Sequence, residues 1–306
     1  MAATTVGQLA DEERGYLGNA QPRAWSSSKS PYALRVNKDG TKDEYTMQSL
    51  FGYFKSKSNY DEAKLTTCEG MGWNIVTASI AELVATTIFV FALNLASAIG
   101  VNDGTLVGAL TYAFVAGFTY LLLKTVLGEV TAIMDPTRVI VELFMPHVWR
   151  PIGFLNALVL NLFKLAAIVL GSIIGAAIVL ALNIEDAGKP EYLGGISGGI
   201  AFFVEFFGAG LLMWVLLVTN YDRVSKWRNL TQGFVLIGLS TLFFPRTTAA
   251  FNFARWFGAA VVTGTFDSTG LVYFFAPLAG QAVFALVWFF VFRYPTKKLE
   301  KAKQGV

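Results

Sequence analysis

The sequence predicts an all-α membrane protein in which six transmembrane helices and two short re-entrant half-helices form two inverted repeats. The first observation is the composition: of 306 residues, 54% are hydrophobic and 15% are charged, and the mean hydropathy is +0.52. In a soluble domain roughly a quarter of the residues are charged. The chain is therefore expected to cross a bilayer several times, and an ordinary soluble enzyme is excluded.

The lengths of the apolar segments are the second observation. Six stretches reach the roughly 20 residues that a helix needs to span the hydrocarbon core. They cover residues 74–98, 105–127, 155–182, 196–219, 225–244 and 271–293. Two further segments, 135–145 and 252–263, have helical patterning, but roughly a dozen residues rise only about 18 Å. We expect both to end inside the bilayer, where protein or a water-filled cavity shields their backbone.

The distribution of charge divides the chain into a polar N-terminal extension over 1–72, a membrane domain over 73–294 and a basic tail over 295–306. Within the membrane domain, repeat one covers 73–182 and repeat two covers 196–294. The extension combines many charges with several aromatic residues. It therefore either packs locally against the membrane domain or docks onto another protein.

Basic residues predict the orientation in the membrane. The connection near 220–229 holds Arg223, Lys226 and Arg228, and the C-terminal tail is rich in lysine. Because cytoplasmic loops carry an excess of lysine and arginine, both termini are predicted to be cytoplasmic.

The residue inventory excludes several kinds of chemistry. A single cysteine and a single histidine cannot form a disulfide or a cysteine and histidine zinc site. We therefore expect no metal, no cofactor and no enzymatic activity. The net charge of only +3 gives no indication of a nucleic-acid partner, so the expected surroundings are the lipid bilayer and other membrane subunits.

The two halves of the membrane domain share a pattern. Each half has a glutamate in its opening span, Glu82 or Glu205, and a half-helix that begins roughly fifty residues later, at Asp135 or Asn252. Three spans in each half place the two repeats in opposite orientations. Inverted repeats with discontinuous helices indicate a transport pathway near the bilayer midplane.

Four segments carry a resemblance to a known family: 81–91 (AELVATTIFVF), 171–176 (GSIIGA), 252–258 (NFARWFG) and 276–280 (APLAG). In order, they resemble the first span, the glycine-spaced third span, the second Asn-Pro-Ala box and the last span of the aquaporins, or major intrinsic proteins. The resemblance implies an aquaporin-like fold and a homotetramer with one pore per subunit. It also implies that the tips of the two half-helices meet at the pore centre.

The resemblance assigns pore positions to two boxes, which in this chain read Asp135, Pro136, Thr137, Arg138 and Asn252, Phe253, Ala254, Arg255. Asn252 keeps the residue that orients a neutral solute. Asp135 replaces the asparagine of the first box, and two interpretations remain open. Its carboxylate either alters the pore to admit a cation or polar solute, or is used for capping and a salt bridge to Arg138 or Arg255.

The remaining pore positions also follow from the resemblance. Phe253 replaces a proline and either narrows the pore centre or packs sideways into the bundle. Arg255 corresponds to the arginine that narrows the family's pore, and repeat symmetry places Arg138 near the opposite level. The candidate partners of this constriction are Phe114 or Val115, Ser240 or Pro245, and Ala249.

The glutamates Glu82 and Glu205 are expected, by the same resemblance, to accept hydrogen bonds from N–H groups of the re-entrant loops. Two functions then fit the sequence. One is passive permeation of water or a small neutral solute such as glycerol. The other is a non-conducting, aquaporin-like structural subunit of a larger membrane complex, which the altered boxes and the long extension favour.

Overall fold

The computed structural model describes residues 68–103, 105–128, 130–145, 153–221 and 227–293. The predictions for the extension before residue 68, for the basic residues Arg223 and Lys226, and for the tail after residue 293 lie outside these ranges. Within them the chain is helical and contains no strand.

The described residues form eight α-helices. They are α1 (Cys68–Asp103), α2 (Leu106–Val126), α3 (Pro136–Leu143), α4 (Phe154–Ala181), α5 (Gly198–Tyr221), α6 (Arg228–Thr247), α7 (Phe253–Thr263) and α8 (Thr269–Val287), which continues as a π-helical turn over Trp288–Arg293. Six of them are long, whereas α3 has 8 residues and α7 has 11. The predicted fold class, six spans with two half-helices, is confirmed.

The sixth long helix, α6, is more polar than the others. Five helices are long and apolar enough to cross a membrane, and α6, with 20 residues, is not among these five. Its buried Gln232 donates a hydrogen bond of 2.7 Å to the hydroxyl of Thr219 on α5. Because its amide nitrogen finds a partner inside the bundle, the Gln232 side chain can lie at membrane depth.

Helix packing repeats between the two halves. In the first half α1 packs along α4, in the second half α5 packs along α8, and α2 packs along α6 to join the halves. The half-helix α7 packs against α4, while α3 packs against both α4 and α8. Each half-helix therefore contacts a long helix of the other half, which brings their tips together.

Glycines permit the two equivalent crossings. A Cβ atom on Gly175 of α4 would lie 2.6 Å from the carbonyl oxygen of Thr87 on α1. At the matching crossing, a Cβ atom on Gly280 of α8 would lie 2.1 Å from the carbonyl oxygen of Phe206 on α5. Small residues of this kind let membrane helices approach closely.

Candidate pore centre

The half-helices α3 and α7 begin in the same way. The side-chain oxygen of Asp135 accepts a hydrogen bond of 3.1 Å from the backbone N–H of Thr137. The side-chain oxygen of Asn252 accepts one of 2.8 Å from the backbone N–H of Ala254. Both residues cap a helix start whose first N–H groups have no intrahelical partner. Pro136 occupies the first helical position of α3, where an N–H is not needed.

The two half-helices meet tip to tip. The amide nitrogen of Asn252 donates a hydrogen bond of 2.7 Å to the carbonyl oxygen of Met134, the residue before Asp135. Met134 and Phe251 each precede a cap and have positive φ angles of 59° and 46°. Each tip carries about half a positive charge from its helix dipole, so the junction disfavours cations.

The loop before α3 is held by the buried carboxylate of Glu82. This carboxylate accepts hydrogen bonds of 2.8 Å from the N–H of Ile133 and 2.9 Å from the N–H of Met134. The hydroxyl of Thr131 donates to it as well. The loop thereby satisfies its donors without water, as irregular backbone at membrane depth requires.

The loop before α7 is held by Glu205 in an equivalent arrangement. The Glu205 carboxylate accepts hydrogen bonds of 3.1 Å from the N–H of Ala250 and 2.6 Å from the N–H of Phe251. The hydroxyl of Thr247 donates to it at 2.5 Å. A threonine and two backbone N–H groups therefore surround the glutamate in each repeat.

Asp135 is surrounded by hydrogen-bond donors. One carboxylate oxygen accepts from the backbone N–H of Thr137 and also from its hydroxyl, the latter at 2.8 Å. The other oxygen accepts a hydrogen bond of 2.6 Å from the side-chain amide of Gln281 on α8. Sequence reasoning missed Gln281, although a polar residue in an apolar span is a signal of function.

Of the two interpretations of Asp135, the one that includes a salt bridge to Arg138 or Arg255 is not what the described residues show. Among the described residues, neither arginine lies within salt-bridge distance of this carboxylate. The guanidinium of Arg138 instead pairs with Glu142, with 2.7 Å between Nε and Oε1. The two residues are four positions apart and so lie on the same face of α3.

Arg255, in the first turn of α7, has no exposed surface. Its Nε donates a hydrogen bond of 3.0 Å to the side-chain oxygen of Asn94 on α1, and its Nη1 donates one of 2.5 Å to the hydroxyl of Tyr112 on α2. Nη1 also donates to the carbonyl oxygen of Thr248 at 3.2 Å. The guanidinium is thus held by three segments at once. Sequence reasoning missed Asn94 and Tyr112, whose polar groups within apolar spans are the available signal.

Phe114 and Val115, the candidates on α2 for the constriction around Arg255, do not face this arginine. Phe114 is 47% exposed and stacks on Phe118 at the outer surface, and Val115 is half-buried beside the core. Tyr112 faces the arginine instead, because two residues along a helix turn the side chain by about 200°. Ala249 does lie at this level, since its carbonyl oxygen accepts a hydrogen bond of 2.9 Å from Tyr112.

The residues predicted on α6 have different locations. Ser240 is buried in the bundle, but Pro245 lies at the exposed surface, so its expected place in the constriction is wrong. The neighbouring Phe244 is buried, and its ring packs against Tyr112 with 4.6 Å between the ring centroids. An aromatic pair therefore closes this side of Arg255.

Phe253 packs sideways and does not lie in the wall of the central cavity. Its ring lies nearly parallel to that of Trp256, with 5.9 Å between centroids, and meets the edge of Phe274 at 5.0 Å. The phenylalanine in the cavity wall is Phe251. Phe253 was expected either to narrow the pore centre or to pack sideways into the bundle, and the structure shows the sideways packing.

A narrow cavity of about 30 Å³ lies beside the helix tips, enough for one or two water molecules. Polar groups in its wall come from Asp135, Arg138, Asn252 and Gln281, and Tyr120 of α2 also lines it. The rest of the wall is apolar. Arg255 is not among the lining residues, although its guanidinium donates to the carbonyl oxygen of Ala249, which lines the cavity.

Six long helices, two half-helices joined at their tips and a polar cavity beside the junction define a channel-type membrane protein. Residues 69–288 match the family model of the major intrinsic proteins. The chain therefore belongs to the major intrinsic protein family, as its motifs predicted, and is an integral, multi-pass membrane protein. Members of this family are membrane channels for water or small solutes.

A solved structure with the same fold is the X-ray structure of the aquaglyceroporin from Plasmodium falciparum. It matches with a TM-score of 0.62 and 20% sequence identity, over 74% of this chain and 99% of that chain. At this identity the likeness shows the shared fold. No curated protein matches the chain.

Proposed function

We propose that this protein is a passive channel for water or a small neutral solute. The observation that carries the proposal is the junction at the cavity, where Asn252 donates one amide hydrogen to Met134 and lines the cavity. Its second amide hydrogen can then be offered to a passing oxygen atom. The positive ends of α3 and α7 oppose cations at the same point.

The size of the cavity supports a small solute. A space of about 30 Å³ holds one or two water molecules, so molecules pass the tips singly. The cavity wall, which is mostly apolar with a few polar groups, supports the same class of solute. Apolar side chains limit the number of hydrogen bonds a solute can make, while Asn252 and Gln281 offer partners along one side.

Swelling of proteoliposomes after an osmotic step tests this function. The expected result is water permeability well above that of empty vesicles, abolished by Ala209→Leu, which adds three carbon atoms to the cavity wall. The matched control is Ala177→Leu, at an exposed position of α4, which should conduct like the parent chain. Permeability equal to empty vesicles for the parent chain would contradict the channel proposal.

A second candidate function is a non-conducting structural subunit of a larger membrane complex. The fully buried Arg255 favours it, because Asn94, Tyr112 and Thr248 accept hydrogen bonds from its Nε and Nη1. A guanidinium held in this way is not available to a solute. Co-purification of stoichiometric partners, lost when residues 1–67 are removed, together with permeability equal to empty vesicles, would support this function over the first.

For assembly, we propose a homotetramer with one pore per subunit and both termini in the cytoplasm. The outward-facing pair Phe114 and Phe118 supplies part of an apolar surface that fits lipid or a neighbouring subunit. Light scattering of the detergent-solubilised protein measures the subunit number. Labelling of cysteines placed before residue 68 and after residue 293, from either side of sealed vesicles, tests the orientation.

A further inference from the structure

Gln281 is a buried amide in a helix that carries no charged residue. It lies in α8 and is 4% exposed. Burying an amide at membrane depth costs free energy unless the amide is hydrogen-bonded. Its Nε2 donates a hydrogen bond of 2.6 Å to Oδ2 of Asp135, which belongs to the other repeat. The contact with this carboxylate therefore explains how a glutamine is accommodated here.

The neighbours of the Gln281 amide fix its orientation. An ionised carboxylate only accepts hydrogen bonds, so the atom that faces Asp135 is the donor Nε2. The amide oxygen then lies 3.4 Å from the hydroxyl of Thr137, which is a donor. The amide hydrogen is thus directed at the carboxylate, and a flipped amide would place two acceptors against each other.

The equivalent position of the first repeat holds an apolar residue. Gly280 of α8 and Gly175 of α4 occupy matching helix crossings. The residues that follow them, Gln281 and Ala176, are therefore equivalent in the two repeats. Ala176 is fully buried in an apolar cluster that includes a residue from the first turn of α7. The amide accompanies the acidic tip of α3, whereas a methyl group accompanies the tip of α7, whose cap is a neutral asparagine.

We infer that Gln281 is a positioning residue for Asp135, and that its amide occupies the one carboxylate oxygen that a cation in the cavity would otherwise contact. The inference rests on the proposed channel function and adds the residue that makes an acidic half-helix cap compatible with the exclusion of cations. Gln281 acts through Asp135 and not by binding the solute.

The two oxygens of the carboxylate have different neighbours. Oδ1 of Asp135 accepts hydrogen bonds from the backbone N–H and the hydroxyl of Thr137, and so caps α3. Oδ2 accepts from Gln281. Both Asp135 and Gln281 line the central cavity. Without the amide, Oδ2 is the oxygen that meets a permeating particle, and a cation that binds there has to displace the amide.

The charge at the junction makes this protection necessary. The tips of α3 and α7 together supply about one positive charge, which opposes cations. A single uncovered carboxylate cancels this charge. A water molecule could also donate to Oδ2, but the cavity of about 30 Å³ holds only one or two, and these exchange as solute passes. A donor attached to α8 remains in place.

The first test measures potassium flux and osmotic water permeability of Gln281→Leu in proteoliposomes. Leucine is close in size to glutamine and cannot donate a hydrogen bond. We expect potassium flux to rise about tenfold, since a hydrogen bond to a charged group is lost, while water permeability stays near that of the parent chain. The matched control is Gln232→Leu, another buried glutamine, which does not line the cavity and should not change potassium flux.

The double variant Gln281→Leu/Asp135→Asn separates positioning from packing. If the leak comes from the uncovered carboxylate, removing its charge returns potassium flux to the level of the parent chain. A gap left by the altered side chain would leak in both variants. Thermal unfolding in detergent identifies the folded proteins. If Gln281→Leu does not fold, Gln281→Met replaces it, because the unbranched methionine side chain adapts to irregular spaces.

Two outcomes overturn the inference and leave the channel function intact: unchanged potassium flux in the folded Gln281→Leu protein, or a leak that persists in the double variant, each with water permeability of the parent chain above that of empty vesicles. A parent chain that conducts water no better than empty vesicles overturns both the inference and the channel function.

Discussion

Arg255 donates a hydrogen bond of 2.5 Å to the hydroxyl of Tyr112, and that hydroxyl in turn donates to the carbonyl oxygen of Ala249 at 2.9 Å. The guanidinium carbon also lies 5.1 Å from the centre of the Tyr112 ring. One tyrosine thus joins the half-helix α7, its preceding loop and α2. The contact holds the arginine where no surface of it is exposed.

Replacing Tyr112 should release the Arg255 guanidinium from this buried position. In Tyr112→Ala the guanidinium loses one acceptor and the ring that covers it, so we expect osmotic water permeability to rise several-fold over the parent chain. Tyr112→Phe keeps the ring, removes only the hydroxyl and should give a smaller rise. Both variants lose the hydrogen bond from the Arg255 guanidinium to the Tyr112 hydroxyl. This loss should lower the free energy of unfolding by about 2 kcal/mol. A folded Tyr112→Ala protein with unchanged permeability would show that this contact does not limit flow.

Asp135 carries a charge at the helix tips. Because Thr137 and Gln281 donate hydrogen bonds to its carboxylate, we expect that permeating ions do not contact it. Asp135→Asn keeps an oxygen that can cap α3 and removes the charge. We expect potassium flux into vesicles to stay the same, because Gln281 and Thr137 already occupy the carboxylate. A large fall in that flux would show that the carboxylate faces the ion path.

The matched substitution for this test is Asn252→Asp. It places a carboxylate at the other tip, which lacks the amide that Gln281 supplies to Asp135. Potassium flux should increase in this variant. If Asn252→Asp and Asp135→Asn behave alike, charge at the tips has no influence on the flux.

The sequence predicted the helices well because their signals are local. Six apolar spans and two short helices follow from segment length, and the caps Asp135 and Asn252 follow from residues that favour helix starts. Glutamates at matching positions in the two halves also indicated the equivalent environments of Glu82 and Glu205. Each of these features depends on neighbours in sequence or on the repeat.

The partners of individual side chains were harder to predict because they depend on helix rotation and on contacts distant in sequence. Phe114 and Tyr112 are two residues apart, and only the rotation of α2 decides which of them faces Arg255. Arg138 lies close in sequence to two carboxylates, those of Asp135 and Glu142. It forms a salt bridge with Glu142, four residues further along the helix. Gln281 meets Asp135 across 146 positions, which no local pattern indicates.

Phe253 should contribute to stability and leave conduction unchanged. Its ring packs on Trp256 and Phe274 and lies outside the cavity wall. Phe253→Pro suits the first helical position but removes this packing, so we expect a loss of about 1–2 kcal/mol for a half-buried ring. Water permeability per folded protein should equal that of the parent chain. An increase would mean that the phenylalanine obstructs the pore.

An exposed ion pair outside the spans gives a pH dependence. Partial burial raises the pKa of Asp267, but hydrogen bonds from Lys189 and Thr269 outweigh this effect, so the pKa lies below its ordinary value of 3.8. Because the folded-state pKa is depressed, the stabilisation is present at neutral pH and is lost as the pH falls below about 4. The carboxylate is 45% exposed, so the effect should stay under about 1 kcal/mol. The melting temperatures of the parent chain and Asp267→Asn should differ at pH 7, and the difference should become smaller as the pH is lowered below about 4.

The buried glutamates should be the most sensitive positions, and equally so in the two repeats. Glu82→Gln and Glu205→Gln each turn an acceptor oxygen into an amide that faces backbone N–H groups of a re-entrant loop. A donor left unpaired at this depth has no water to replace it, so each change should cost about 2–3 kcal/mol. Thermal unfolding in detergent measures this cost, with the exposed Glu185→Gln as a control that should unfold like the parent chain. Because each carboxylate accepts from a threonine and two backbone N–H groups, a large loss in only one of the two variants would show that the loops are not held equivalently.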